Sequence, residues 1–273
     1  MKIDDAEIEV EGCRLRWSRR GAGPPLLFIQ GTGVHGRGWL PQVEGLADRY
    51  SCVFFDNRGM GRSQPIGAPV SVERMADDAA AVMEAAGFTS AHVVGHSLGG
   101  LIALELALRS PERVRSLALL CTFARGADVT RLSWDSFWRG MRTYIGTRQS
   151  RRHAFLEMVL PPAALVGVDR DELAARLEPL FGHDLAVQPA IVFKQLAAMK
   201  AYDATPRLER IEKPTLVVVA GRDLVAKPKW GRALAAGIPG ARLIEFAEAG
   251  HGLPLVEPAE VNRRLDQHFA QVE

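Results

Sequence analysis

The run AHVVGHSLGG, residues 91–100, sets Gly95, His96, Ser97, Leu98 and Gly99 in the spacing G-x-S-x-G. An apolar stretch precedes it and a helical pattern ending near Pro111 follows. The serine is therefore expected on a tight strand-to-helix turn, with its hydroxyl raised above a sheet edge. The N–H of Leu98 then points from the positive end of that helix to where an oxyanion would form. A serine hydroxyl is a weak nucleophile at neutral pH and needs a base that takes its proton and later returns it to the leaving group. Seven histidines compete for that role. His251 fits it best, because it stands in EAGHGLPLVEPAEVN, where small residues make a loop after a strand and Glu257-Pro258 opens a last helix. His92 lies in a strand, His153 and His183 in a long intervening stretch, and His268 deep in the last helix, all places that suit structural roles.

The base in turn needs a carboxylate on its second ring nitrogen, to hold the tautomer and stabilise the imidazolium. Asp223, which ends the strand TLVVV through AGRD, is the first candidate, and Asp128, just beyond an earlier strand, is the reserve. A second oxyanion donor is expected from the glycine-rich loop QGTGVHGRGW, residues 30–39, as the N–H of Thr32. That loop contains G-x-G but neither the Lys-Ser/Thr ending of a phosphate cradle nor a third glycine at dinucleotide spacing. The chemistry asks for no metal and no cofactor.

These residues need a frame that brings residues 32, 97, 223 and 251 together. From residue 1 to about 122, short apolar runs alternate with helical patterns, as in strand-helix units around a parallel sheet. LLFI (26–29), CVFF (52–55), HVV (92–94) and LALL (117–120) are continuously apolar, as expected of strands covered on both faces. A helix is expected from Ser71, with Met75, Ala79, Val82, Met83 and Ala86 on one face and a stop at Gly87. The alternation then lapses until TLVVV (215–219), leaving roughly eighty residues, too long for an ordinary connection. We read residues 123–208 as a helical cap and residues 1–122 with 209–273 as the core. Trp134, Phe137, Trp138, Met141 and Ile145 follow helical spacing, as do Leu173, Leu177 and Leu180, and then Val192, Leu196 and Met199. Most are expected to pack the cap, and Phe123, Phe137 and Trp138 are the first candidates to face a substrate. A helix near 229–237, a strand at 241–246 and a last helix bearing Val261, Leu265 and Phe269 complete the pattern.

Composition narrows the partners. Lys and Arg number 34 against 32 Asp and Glu, a net charge of +2 with no basic run, which argues against nucleic acid and anionic membrane. No apolar run reaches the ~20 residues of a membrane span. The acidic, alternating start MKIDDAEIEVEG reads as a strand and points to the cytoplasm. Cys13, Cys52 and Cys121 are scattered in apolar segments and read as buried free thiols. A small-molecule substrate is the expected partner, and homo-oligomerisation is left open.

By these residues the chain resembles the α/β-hydrolase family over nearly its whole length, most nearly the small bacterial esterases, enol-lactonases and cofactor-free haloperoxidase-like enzymes. The matching segments are GHSLGG, Asp56-Asn57-Arg58-Gly59-Met60-Gly61-Arg62-Ser63, Ala220 through Asp223 to Pro228, and Ala249-Gly250-His251 through Pro258. The order Ser, Asp, His is the one that family uses. The resemblance implies a mostly parallel eight-stranded sheet with helices on both faces and a helical cap inserted after the sixth strand. It also implies that Asp56 and Arg58 hold loops by pairing and take no catalytic part. Gln30-Gly31 departs from the relatives' usual His-Gly, and Ala220-Gly221 from their glycine three residues before the acid. The activity implied is hydrolysis of a small carboxylic ester or lactone through an acyl-enzyme. Carbon-carbon bond hydrolysis, perhydrolysis or hydroxynitrile lysis on the same triad stays open, as does a non-catalytic ligand receptor.

Overall fold

The computed structural model describes residues 3–130 and 134–272, without the side chains of 130 and 134–137. The chain enters through an antiparallel hairpin, β1 (Asp4–Val10) and β2 (Cys13–Arg20). β3 (Pro25–Ile29) follows, then α1 (Leu40–Leu46), β4 (Ser51–Phe55), α2 (Val72–Ala85) and β5 (Ala91–His96). After these come α3 (Leu98–Arg109) and β6 (Val114–Leu120). The sheet resumes with β7 (Thr215–Ala220), α9 (Pro228–Gly237) and β8 (Arg242–Phe246), once α4 (Gly126–Thr130), α5 (Trp134–Arg142), α6 (Arg148–Val159), α7 (Arg170–Phe181) and α8 (Ile191–Ala201) have intervened. Two further helices end the chain, α10 (Leu253–Val256) and α11 (Pro258–Phe269).

The eight strands run in the order β1-β2-β4-β3-β5-β6-β7-β8, with β2 antiparallel to β4 and every pair from β4 to β8 parallel. Parallel strands need crossovers, and helices supplied by them cover both faces. The two-residue period of a strand sorts the apolar runs cleanly. Leu27, Ile29, Val53, Phe55, Val93, Leu117 and Leu119 face one cluster with α2 and α3, while Leu26, Phe28, Cys52, Phe54, Val94, Ala118 and Leu120 face the other with α1 and α11. Burying each such side chain contributes roughly 1.5–3 kcal/mol. Continuous apolarity in these runs is thus the sum of two alternating faces.

Ser71 caps α2 by accepting from Arg74 N, and Met75, Ala79, Val82 and Met83 are buried on the sheet as their spacing requires. Val261, Leu265 and Phe269 of α11 are buried on the opposite face. One element differs from the sequence reading: the stretch between His251 and Glu257, expected to be all loop, forms the short α10, with Pro254 in its first turn and Leu253 fully buried. Cys13, Cys52 and Cys121 are free and buried. Among the described residues no helix is long and apolar enough to cross a membrane.

The turn after β4 is stapled by polar contacts. Asp56 Oδ1 accepts from Gly36 N at 2.8 Å, and Ser63 Oγ donates to Asp56 O at 2.7 Å. Arg58 donates through Nε to Asp78 of α2 at 2.6 Å, and both side chains are fully buried. The loop carrying Thr32 is therefore fixed from behind by the segment that the sequence reading assigned to structural pairing.

Candidate active site

Ser97 sits between β5 and α3 at φ 55°, ψ −120°, in a region that L-residues rarely occupy and that costs of order 1–3 kcal/mol. Contacts on both sides hold it there: its N–H donates to Leu120 O at 3.0 Å, and its carbonyl accepts from Gly100 N at 2.9 Å and Thr122 Oγ1 at 2.7 Å. The two flanking glycines are required by close approach. A Cβ on Gly95 would stand 2.3 Å from the Gly99 carbonyl oxygen, and one on Gly99 would stand 2.1 Å from that of Ile29. Turn, strand and helix therefore interlock only with G-x-S-x-G. Leu98 is the first residue of α3, so its N–H has no acceptor within the helix.

Asp223 follows β7 and is 3% exposed. Its Oδ1 accepts from Val225 N at 2.7 Å and Ala226 N at 2.8 Å, and its Oδ2 accepts from His251 Nδ1 at 2.8 Å. A carboxylate can only accept, so the proton sits on Nδ1, and a neutral His251 ring keeps Nε2 as a proton acceptor. Burial, then the neighbouring Asp223 carboxylate, holds the Cys121 thiol well above its ordinary value. Asp128, the reserve acid, lies on α4, and His251 pairs with Asp223.

His96 supports the base from beneath. Its Nε2 lies 2.9 Å from His251 O, and the two rings stand 4.7 Å apart at 45°. Burial, with repulsion from a charged His251, pushes His96 down to about 3, so the ring is neutral and Nε2–H donates. The other histidines have local partners: His92 Nδ1 meets Ser116 Oγ at 2.8 Å, His268 Nε2 meets Leu117 O at 2.9 Å, and His153 Nε2 meets Asp171 Oδ1 at 3.2 Å.

The loop after β3 carries Thr32. Gln30, in the place of the relatives' histidine, turns its Oε1 back onto Gly31 N at 2.8 Å, and its carbonyl accepts from Asn57 Nδ2 at 2.9 Å. Two residues between β6 and β7 hold the same loop, and the sequence reading did not single them out for it. Gln195 of α8, fully buried, accepts from Gly33 N through Oε1 at 2.9 Å. His183 donates through Nε2 to Gly33 O at 2.8 Å.

Thr32, Ser97 and His251 line one cavity of about 510 Å³. Val34, Phe155, Met158, Val159, Phe181 and Leu255 supply one part of its wall, drawn from the apolar cluster of α6 and α7. Phe123, Leu196, Met199 and Trp230 supply another, drawn from the sheet-facing cluster, with Val192 beside them. Phe123, a candidate to face a substrate, is on the cavity wall. Trp138 is not: it is 48% exposed and off the cavity, which α5 lines instead with Arg139 and Gly140, and the turn after it with Thr143 and Tyr144. At about 100° per residue, Trp138 stands about 200° around the helix from Gly140, so its apolarity marked the outer face. The side chain of Phe137 lies outside the described residues.

Comparison with known proteins bears out the fold. The alpha/beta hydrolase fold family matches residues 24–258. RutD of Azorhizobium caulinodans, whose assignment as a carbamate hydrolase is provisional, is 32% identical over 92% of this chain and 93% of its own. Among solved structures, the N-acyl homoserine lactone degrading enzyme Est816 is 28% identical, with TM-score 0.81 over 96% of this chain and 99% of its own. A thermophilic esterase from Thermogutta terrifontis is 25% identical, with TM-score 0.80 over 98% of this chain and 99% of its own.

Proposed function

Because the chain belongs to the alpha/beta hydrolase fold family, we propose that it is a serine hydrolase that cleaves a small carboxylic ester or lactone through an acyl-enzyme. The observation that carries this reading is the 2.8 Å bond from His251 Nδ1 to Asp223, with His251 sharing a cavity with the strained Ser97. Ser97 Oγ adds to the carbonyl carbon while His251 Nε2 takes its proton, and Asp223 stabilises the imidazolium so formed. The oxyanion accepts from the N–H groups of Thr32 and Leu98. Its collapse expels the alcohol, which leaves with the proton from His251. Water then attacks the acyl carbon, gives its proton to His251, and the released Ser97 oxygen recovers that proton as the acid departs.

Residues 123–208 act as a cap over this cavity and set which substrate fits. One methylene of fit in such a pocket is worth ~1–3 kcal/mol. The relation to RutD supports carbamate as a second substrate type, since the same oxyanion forms when serine attacks a carbamate carbonyl. Hydrolysis of nitrophenyl butyrate, a matched nitrophenyl carbamate and a small lactone separates these readings. In every case Ser97→Ala is expected to lower kcat by about 10⁴ or more. Near-wild-type turnover by a folded Ser97→Ala enzyme would contradict the mechanism.

A further inference from the structure

The side chains around the cavity are unequal in charge. Arg139, Lys200 and Lys227 line it, and among the described lining residues there is no aspartate or glutamate; Asp223 lies behind His251. Neither Lys200 nor Lys227 has an ion-pair partner among the described residues, whereas arginines elsewhere on the surface, such as Arg232 with Glu245 and Arg263 with Glu260, are paired. The Lys227 ammonium stands 5.9 Å from the ring centre of Trp230, and both residues line the cavity. Gln188 also lines the cavity, and its Nε2 is buried without an acceptor. Among the described residues the cavity therefore offers two unpaired ammonium groups, Lys200 and Lys227, and a spare donor on Gln188.

A wholly apolar substrate leaves that arrangement without use, and a buried donor without a partner is costly. A carboxylate on the substrate satisfies the donor and is attracted by both ammonium groups, the half-buried Lys227 less screened by water than the exposed Lys200. The two lysines flank residues of the sheet-facing cluster, Lys200 after Met199 and Lys227 before Trp230, whereas the cluster of α6 and α7 supplies apolar wall. We propose that the cavity selects an anionic ester or lactone, its free carboxylate held by Lys200, Lys227 and Gln188 and its hydrocarbon part packed toward Phe155, Val159 and Phe181. This rests on the hydrolase reading for the ester and on the lining charges for the anion.

The test separates the two. Binding of monomethyl glutarate, an anion, and of neutral dimethyl glutarate is measured by calorimetry on Ser97→Ala protein, so that no turnover is needed. The anion is expected to bind about tenfold more tightly, a preference that shrinks as salt rises. Lys200→Met/Lys227→Met is expected to remove the preference, and Lys200→Glu/Lys227→Glu to reverse it, with circular dichroism confirming the fold. Equal binding of the two esters by the Ser97→Ala protein, or a preference unchanged in both lysine double variants, would overturn the proposal and leave the hydrolase reading untouched. Failure of wild type to cleave any ester would strike that reading, while the binding comparison would still decide the anion.

Discussion

Asp223 uses both carboxylate oxygens at once, Oδ1 on two backbone N–H groups and Oδ2 on His251. An asparagine there cannot keep both roles. If its oxygen stays on Val225 and Ala226, its NH₂ faces His251 and imposes the wrong tautomer. Asp223→Asn is therefore expected to lower kcat by about 10⁴ with the fold intact, while Asp128→Asn stays within about twofold of wild type. Steady-state kinetics on one nitrophenyl ester checks this, and the opposite ranking would move the acid to α4. The placement of Ser97, Asp223 and His251, proposed here as the triad, was legible because each follows a recognisable strand. Trp138 was misread because helical spacing tells which residues share a face but not which way that face turns. Gln195 and His183 gave no signal: each meets the backbone of Gly33, and such contacts leave no pattern in side-chain spacing.

That contact matters at the scale of elements. The segment between β6 and β7 was expected to select substrate and take no part in bond breaking, yet α8 accepts from Gly33, the neighbour of the proposed oxyanion donor Thr32. Gln195→Leu leaves Gly33 N without its acceptor in a buried place and lets the loop shift. The expected effect is a fall in kcat of about 10- to 100-fold with a smaller change in KM, because the oxyanion donors act mainly in the transition state. Gln195→Glu keeps an accepting oxygen and is expected to recover much of that loss. If Gln195→Leu changed KM alone, α8 would serve binding only. The strands, α2 and α11 were legible because burial on a two-faced sheet forces simple periods. α10 was not, because its four residues are too few to show one.

The molecule as a whole buries neutral histidines behind its sheet. Burial pushes His92 from 6.5 down to about 4, and it lowers His268 as well. A folded pKa below the unfolded one means that the unfolded chain binds these protons first as pH falls. Stability is then complete above about 6.5 and is lost as pH falls from there toward 4, with each histidine adding a slope of up to about 1.4 kcal/mol per pH unit. Urea unfolding between pH 7.5 and 4.5 is expected to show this decline. His92→Asn is expected to flatten it, and an identical slope in that variant would remove His92 from the account. The parallel sheet and the long insertion in it were readable from the alternation of apolar runs, whereas the count of eight strands came from the family resemblance. The cavity's charge was not readable, since it depends on which residues of the cap and of the loop before α9 turn inward. The central claim is that Ser97 carries the acyl group, and stoichiometric modification by an alkyl nitrophenyl phosphonate tests it most directly. The account predicts one equivalent of adduct, mapped by peptide mass to Ser97, with ester hydrolysis lost in proportion. Labelling of another residue with loss of activity, or full hydrolysis by protein fully modified at Ser97, would contradict it.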